Sequence, residues 1–174
     1  VASADRMITF FDLYTMEVNC RLRNLTHSPT SLAYHTNVTN TRQYLTFGDD
    51  VGCIHCLKLK PQFYFDEGLD KEGNDAFEYW KGKSDLLERQ GLISYYCHKL
   101  HKDWITRVCH IGDLQPSILT CSMDATVKFF NVDKQVADRI FCGHKSGVQD
   151  LVYVRSSKCM ASCGGGRTIL TRNP

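Results

Sequence analysis

Two thiols and three imidazoles fall within fourteen residues of this chain: Cys97, His98 and His101 in "CHKLH", then Cys109 and His110. Zinc takes four nitrogen or sulfur ligands at tetrahedral reach, so the cluster is the first candidate for chemistry. The spacing works against it. Cys97 and His98 are neighbours, and neighbours on a strand face opposite sides of a sheet. Cys53 and Cys56 lie an odd number of residues apart and diverge for the same reason. No second Cys-x-x-Cys completes a site, so no metal is expected.

Other reactive patterns fail on similar grounds. "CGGGRT" at 163–168 has the glycines of a phosphate-cradling loop but not its Lys-Ser/Thr pair, and a hairpin turn accounts for it. The acidic stretch from Asp66 to Asp75 lacks the alternating ligand order of a calcium loop. There is no Gly-x-Ser-x-Gly element and no paired-carboxylate site. The sequence therefore leads us to expect neither enzymatic activity nor a cofactor.

The remaining histidines recur. His27, His101 and His144 precede Asp50, Asp124 and Gly166 by 23, 23 and 22 residues. Around these anchors the letters repeat: "SADRMITFFD" at 3–12, "FGDDVGCIHCL" at 47–57, "SMDATVKFFN" at 122–131 and "CGGGRTILTRN" at 163–173. The anchors Asp5, Asp50, Asp124 and Gly166 are separated by 45, 74 and 42 residues. Two of these intervals match a repeat period of about 40–45 residues, and the third is one period plus an insertion. Repetition makes the His and Asp residues structural.

A His, about 23 residues, a Ser-x-Asp, then six residues to an aromatic-Asp pair resembles the WD repeat. The resemblance covers the chain apart from residues 61–91. It is specific in spacing and degenerate in letters: Phe11-Asp12, Cys56-Leu57, Phe130-Asn131 and Arg172-Asn173 stand where the family has Trp-Asp. The family implies a β-propeller of four-stranded antiparallel blades. It also implies a buried hydrogen-bonded chain of His, Ser or Thr, turn Asp and Trp in each blade. Carried over by position, the chains are His27, Thr46 and Asp50, with Cys56 in the Trp place; His101, Thr120 and Asp124, with Phe130 there; and His144 with Ser162, where Gly166 and Arg172 leave no Asp-based network.

The fold class expected is thus all-β, about half of a propeller, with one mostly helical insertion. Residues 1–26 close one blade, 27–100 form a blade with the insertion at 61–91, 101–143 form a third, and 144–174 an incomplete fourth. Further blades or another chain are expected to pair with the open edges, because exposed strand edges invite association. The insertion carries Phe77, Tyr79 and Trp80, and "SDLLERQG" has the cap and stop of a helix. It reads either as an excursion packed on its own blade or as a docking arm. Trp104 and Arg107 stand where the chain enters an innermost strand. Trp104 either packs between blades or meets a partner.

Composition fits this reading. Hydrophobic residues at 43% and charged residues at 23% are ordinary for a globular domain. A net charge of +2 and no basic run give no sign of nucleic acid or an anionic membrane as partner. No stretch approaches the apolar length of a membrane span. The nine cysteines sit inside strands, as reduced residues of an intracellular protein do. The function expected is a non-enzymatic scaffold for protein partners. The degenerate letters and the insertion resemble WD-repeat proteins of cilia and sperm axonemes, which implies a cytoplasmic or axonemal place and microtubule-associated neighbours. Alternatives are a substrate receptor of a ubiquitin ligase and a propeller appended to an enzyme domain. "FDLY" and "FNVD" stand where the receptor's Trp-Asp-x-Arg box would be. The Phe-Arg-Arg-Gly motif of phosphoinositide-binding propellers is absent.

Overall fold

The computed structural model describes residues 1–36, 43–63, 84–112 and 117–174. Short runs rich in β-branched and aromatic residues, broken by tight turns, give antiparallel meanders. The first sheet is β1 (Ala2–Ser3), β2 (Met7–Phe11) and β3 (Val18–Leu22). The second is β4 (Pro29–Thr36), β5 (Gln43–Asp49), β6 (Cys53–Leu59) and β7 (Leu92–Lys99). The third is β8 (Ile105–Ile111), β9 (Ser117–Ser122), β10 (Val127–Asn131) and β11 (Val136–Phe141). The fourth is β12 (Val148–Val154), β13 (Cys159–Gly164) and β14 (Ile169–Arg172).

A mostly helical insertion over 61–91 is not seen. Among the described residues only α1 (Ser84–Arg89) is helical, six residues long, and residues 64–83 lie outside the description. Gly91, at φ +74°, follows that helix and leads the chain into β7. No helix among the described residues is long and apolar enough to cross a membrane.

The sheets stack in chain order, with one apolar layer between each pair. Ile8, Cys20 and Leu22 of the first sheet meet Leu45, Phe47, Leu57 and Leu59 of the second. Tyr44, Ile54 and Cys56, from the other side of the second, meet Ile105, Val108, Ile118 and Phe130 of the third. Ile111, Leu119, Cys121 and Val127 meet Val148, Leu151 and Met160 of the fourth. Each sheet thus has a trailing face toward the sheet before it and a leading face toward the sheet after it. Because β5 and β9 are covered on both faces, every residue in them is buried. A fully buried Leu, Ile or Phe contributes about 1.5–3 kcal/mol, so these layers dominate stability.

Bulges tie the layers together. Strand pairing skips Thr30, Thr106 and Gln149, the second residue of β4, β8 and β12. An extra residue in one strand re-aims its side chain. Thr106 uses this to donate its hydroxyl to the Val148 carbonyl at 2.6 Å, and Thr30 donates to Ile105 in the same way.

The second and third sheets approach closely at Gly48. A Cβ there would lie 2.4 Å from Ile105 Cγ2, and Ile105 is fully buried. Gly48→Ala should therefore cost about 1–3 kcal/mol, as overpacking of a filled core does. The shift in urea midpoint measures it. An unchanged midpoint would mean that this contact is looser than described.

Candidate interaction rim and its buried histidine chains

The turns after β1, β5, β9 and β13 gather at one end of the stack. Each turn is bonded to the loop that enters its own sheet or the next. The Leu100 and His101 amides both donate to the Gly52 carbonyl, Met123 N–H to Trp104 O, and Gly165 N–H to Gly147 O. A left-handed residue recurs in these turns: Arg6, Ala125 and Arg167 at φ 61°, 66° and 57°.

In the third sheet three of the marked residues come together. His101 Nδ1 lies 3.0 Å from Asp124 Oδ2, and His101 Nε2 lies 2.9 Å from Thr120 Oγ1. A carboxylate only accepts, so Nδ1 carries the proton and Nε2 accepts from the Thr120 hydroxyl. Asp124 also accepts from Lys102 N–H at 3.0 Å, Thr126 N–H at 3.0 Å and the Thr126 hydroxyl at 2.6 Å. Burial alone would raise the Asp124 carboxyl. The bonds from Thr126 and Lys102, with His101 alongside, outweigh it and hold the group near 2. Burial drives His101 down to about 4 against the pull of Asp124, so the ring is neutral at physiological pH. Phe130 is fully buried beside this chain and stands 5.6 Å from His98 and 6.2 Å from Tyr96, ring to ring.

The second sheet does not assemble His27, Thr46 and Asp50. His27 Nδ1 is 3.8 Å from Asp50 Oδ1, and both side chains are about a third exposed or more. Thr46 points to the opposite face, where His110 Nε2 of the third sheet lies 3.0 Å from its hydroxyl and Cys56 Sγ lies 3.3 Å away. The cause is a register displaced by one residue. Phe47 pairs Leu32 as Thr120 pairs Val108, and Leu57 pairs Leu45 as Phe130 pairs Ile118. Phe47 therefore stands where Thr120 does in the third sheet, Val51 where Asp124 does, and Leu57, not Cys56, where Phe130 does. Gly52, at φ +89°, takes the left-handed position, and a Cβ there would meet the His101 and Asp103 carbonyls at 2.6 Å. A slip of one residue exchanges every side chain between faces.

The buried acid of this sheet is Asp49. It accepts from Cys53 N–H at 2.6 Å, Val51 N–H at 3.1 Å and His55 Nε2 at 3.1 Å. Burial would raise its carboxyl, but these partners, His55 foremost, lower it below the usual range. Cys97 Sγ sits 3.8 Å from the same Nε2. A relay from carboxylate through imidazole to thiol needs the two partners on different ring nitrogens. Here both address one, and burial together with Asp49 pushes the nearby Cys53 thiol up. No group of three His, Cys, Asp or Glu among the described residues is placed to hold a metal.

In the fourth sheet His144 Nε2 lies 2.8 Å from Ser162 Oγ. Arg172 donates to the Cys142 carbonyl. Phe77, Tyr79 and Trp80 lie outside the described residues.

The accessible part of this end is Trp104, 55% exposed, with Met123 beside it through the bond from Met123 N–H to Trp104 O. Arg107 is exposed and pairs with Asp150 of the fourth sheet at 3.5 Å, a surface contact worth little. Met123 escaped the sequence reading because the strand before it is wholly apolar or small. Asp49 escaped it because Asp50 fits the spacing as well.

No protein-family model matches this chain, and no curated protein matches it.

Proposed function

We propose that the chain is a non-enzymatic protein-interaction scaffold built on WD-repeat propeller blades, in a cytoplasmic setting such as a ciliary or axonemal assembly. The observation that carries this reading is the division of labour at the rim. The buried acids Asp124 and Asp49 are spent on holding turns, with His101 and His55 bonded to them. The large apolar side chains Trp104 and Met123 are left accessible beside them. Exposed tryptophan is the residue type most enriched in interface hot spots. A rigid sheet stack with recurring turns offers a fixed platform for such contacts.

Affinity purification from ciliated cells tests the proposal with three baits: the unaltered protein, Trp104→Ala, and a version lacking residues 61–91. Microtubule-linked partners that decline at least about tenfold with Trp104→Ala would place docking on the rim. Loss only on deletion of 61–91 would place it on the insertion. Recovery of ligase subunits, or no specific partner at all, would discard the axonemal scaffold reading.

A further inference from the structure

The seam between the second and third sheets holds a pocket that the repeat does not require. On the leading face of the second sheet Tyr44, Lys58 and Ser94 form one cross-strand row, and Cys56 and Tyr96 face each other in the next. The turn joining β10 to β11 brings Asp133 to the same pocket. In the third sheet the places of Tyr44, Lys58 and Tyr96 are taken by Ser117, Asn131 and Arg139. The two rings and the ammonium thus belong to this seam alone among those two. Both sheets that bound it lie inside the stack, with a neighbour on either side.

Three groups at the pocket are not engaged as such groups normally are. The Tyr96 hydroxyl is buried and has no hydrogen-bond partner among the described residues. The Cys56 thiol opposite is a weak donor and acceptor, and it already meets the Thr46 hydroxyl at 3.3 Å. Burial foremost, then Cys56 and Asp133, pushes the Tyr96 hydroxyl up, so it keeps a proton to give. Lys58 Nζ stands 5.9 Å from the centroid of the Tyr44 ring, a cation–π distance that holds the ammonium at the pocket. Among the described residues no ion pair joins Lys58 to Asp133. The pocket therefore offers a cation, an acid and a protonated hydroxyl to whatever enters it. Its volume is about 130 Å³, well below the ~300 Å³ at which sites for drug-sized ligands begin. Only a small molecule fits.

We propose that this pocket binds a free α-amino acid with a small side chain, its carboxylate received by Lys58 and its ammonium by Asp133. A simple anion would be attracted by Lys58 and repelled by Asp133, and a simple cation the reverse. A small zwitterion is favoured by both charges, and opposing charges are how a site rejects the wrong ligand. The Tyr96 hydroxyl donates to the ligand carboxylate and so gains the partner it lacks. The Tyr44 and Tyr96 rings flank the ligand. The proposal rests on this seam and is independent of the scaffold reading.

Isothermal titration of the full chain with glycine, L-alanine and L-serine tests it, beside acetate and methylammonium as the two halves of the ligand. The same titrations are run on Lys58→Met, Asp133→Asn and Tyr96→Phe. Each substitution keeps most of the side-chain volume, and urea midpoints confirm that the variants fold. The expected result is saturable binding of at least one of the three amino acids, with acetate and methylammonium at least about tenfold weaker. Each variant should lose at least about tenfold in affinity for that amino acid. No saturable binding of any of the three would overturn the proposal. So would acetate or methylammonium binding as tightly as the amino acid, or an affinity left unchanged by any of the substitutions.

Discussion

Asp124→Ala is expected to lower the stability of the chain by about 3 kcal/mol, while Asp50→Ala is expected to change it by less than about 0.5. The two acids are equivalent by spacing from their histidines and differ in what they hold. Removing Asp124 strands the His101 Nδ1–H, the Lys102 amide and both Thr126 donors, in a site where the His101 side chain has no solvent contact. An orphaned buried donor costs its full desolvation, and bonds to an ionised acceptor are the stronger ones. Asp50 offers only a 3.8 Å pairing to an accessible imidazole. Asp49→Ala should resemble Asp124→Ala, since it frees two amides and His55. Urea midpoints of the three variants decide the matter. Equal effects of Asp50→Ala and Asp124→Ala would restore the register the spacing suggests and refute the displaced one.

Acid should unfold the protein before its carboxylates titrate. His101 falls from the ordinary 6.5 to about 4, and burial with the adjacent His35 ring drives His110 to about 3. Both folded-state values are depressed, so the unfolded chain binds protons first as pH drops. The stabilisation is complete above pH 6.5 and is lost as pH falls toward the folded values. For His101 alone the loss amounts to on the order of 3 kcal/mol. Asp124, held near 2 from an ordinary 3.8, adds a loss of the same sign at still lower pH. Urea midpoints followed downward from neutral pH should therefore be flat above 6.5 and then decline steeply. Ring proton shifts should show both imidazoles neutral throughout the folded range. A midpoint independent of pH between 6.5 and 4, or a folded-state titration of His101 near 6.5, would contradict the burial of these rings.

How far the sequence could be read depends on the residue. The short runs "SILTCS" and "VKFFN", with β-branched and aromatic residues on either side of Met123 and Asp124, point to two strands and a turn at Asp124. The pairing of His101 with Thr120 and Asp124 could be argued from spacing, since a strand and its hairpin fix that distance. The second sheet could not be placed so. "QYLTFGDDVGCIHCL" is apolar at both alternating sets, with Tyr44, Thr46 and Cys56 on one face and Leu45, Phe47 and Leu57 on the other. With both faces buried, hydrophobic pattern cannot choose the register. The deciding signal was Gly52, whose left-handed turn falls one residue later than the doubled Asp suggests. β1, two residues long, is too short to leave any periodic trace.

The sharing of each apolar layer between two sheets has a consequence for how the protein is made. No sheet here owns a core, so none is stable when its neighbour is absent. During synthesis the chain emerges from its N-terminal end, and folding units generally form in that order. The leading face of each sheet is then the surface on which the next one condenses, and Thr30 and Thr106 already point their hydroxyls toward the strand still to arrive. Growth of the stack thus follows the direction of translation. A ribosome paused after β11 would hold a nascent chain whose newest surface is its stickiest.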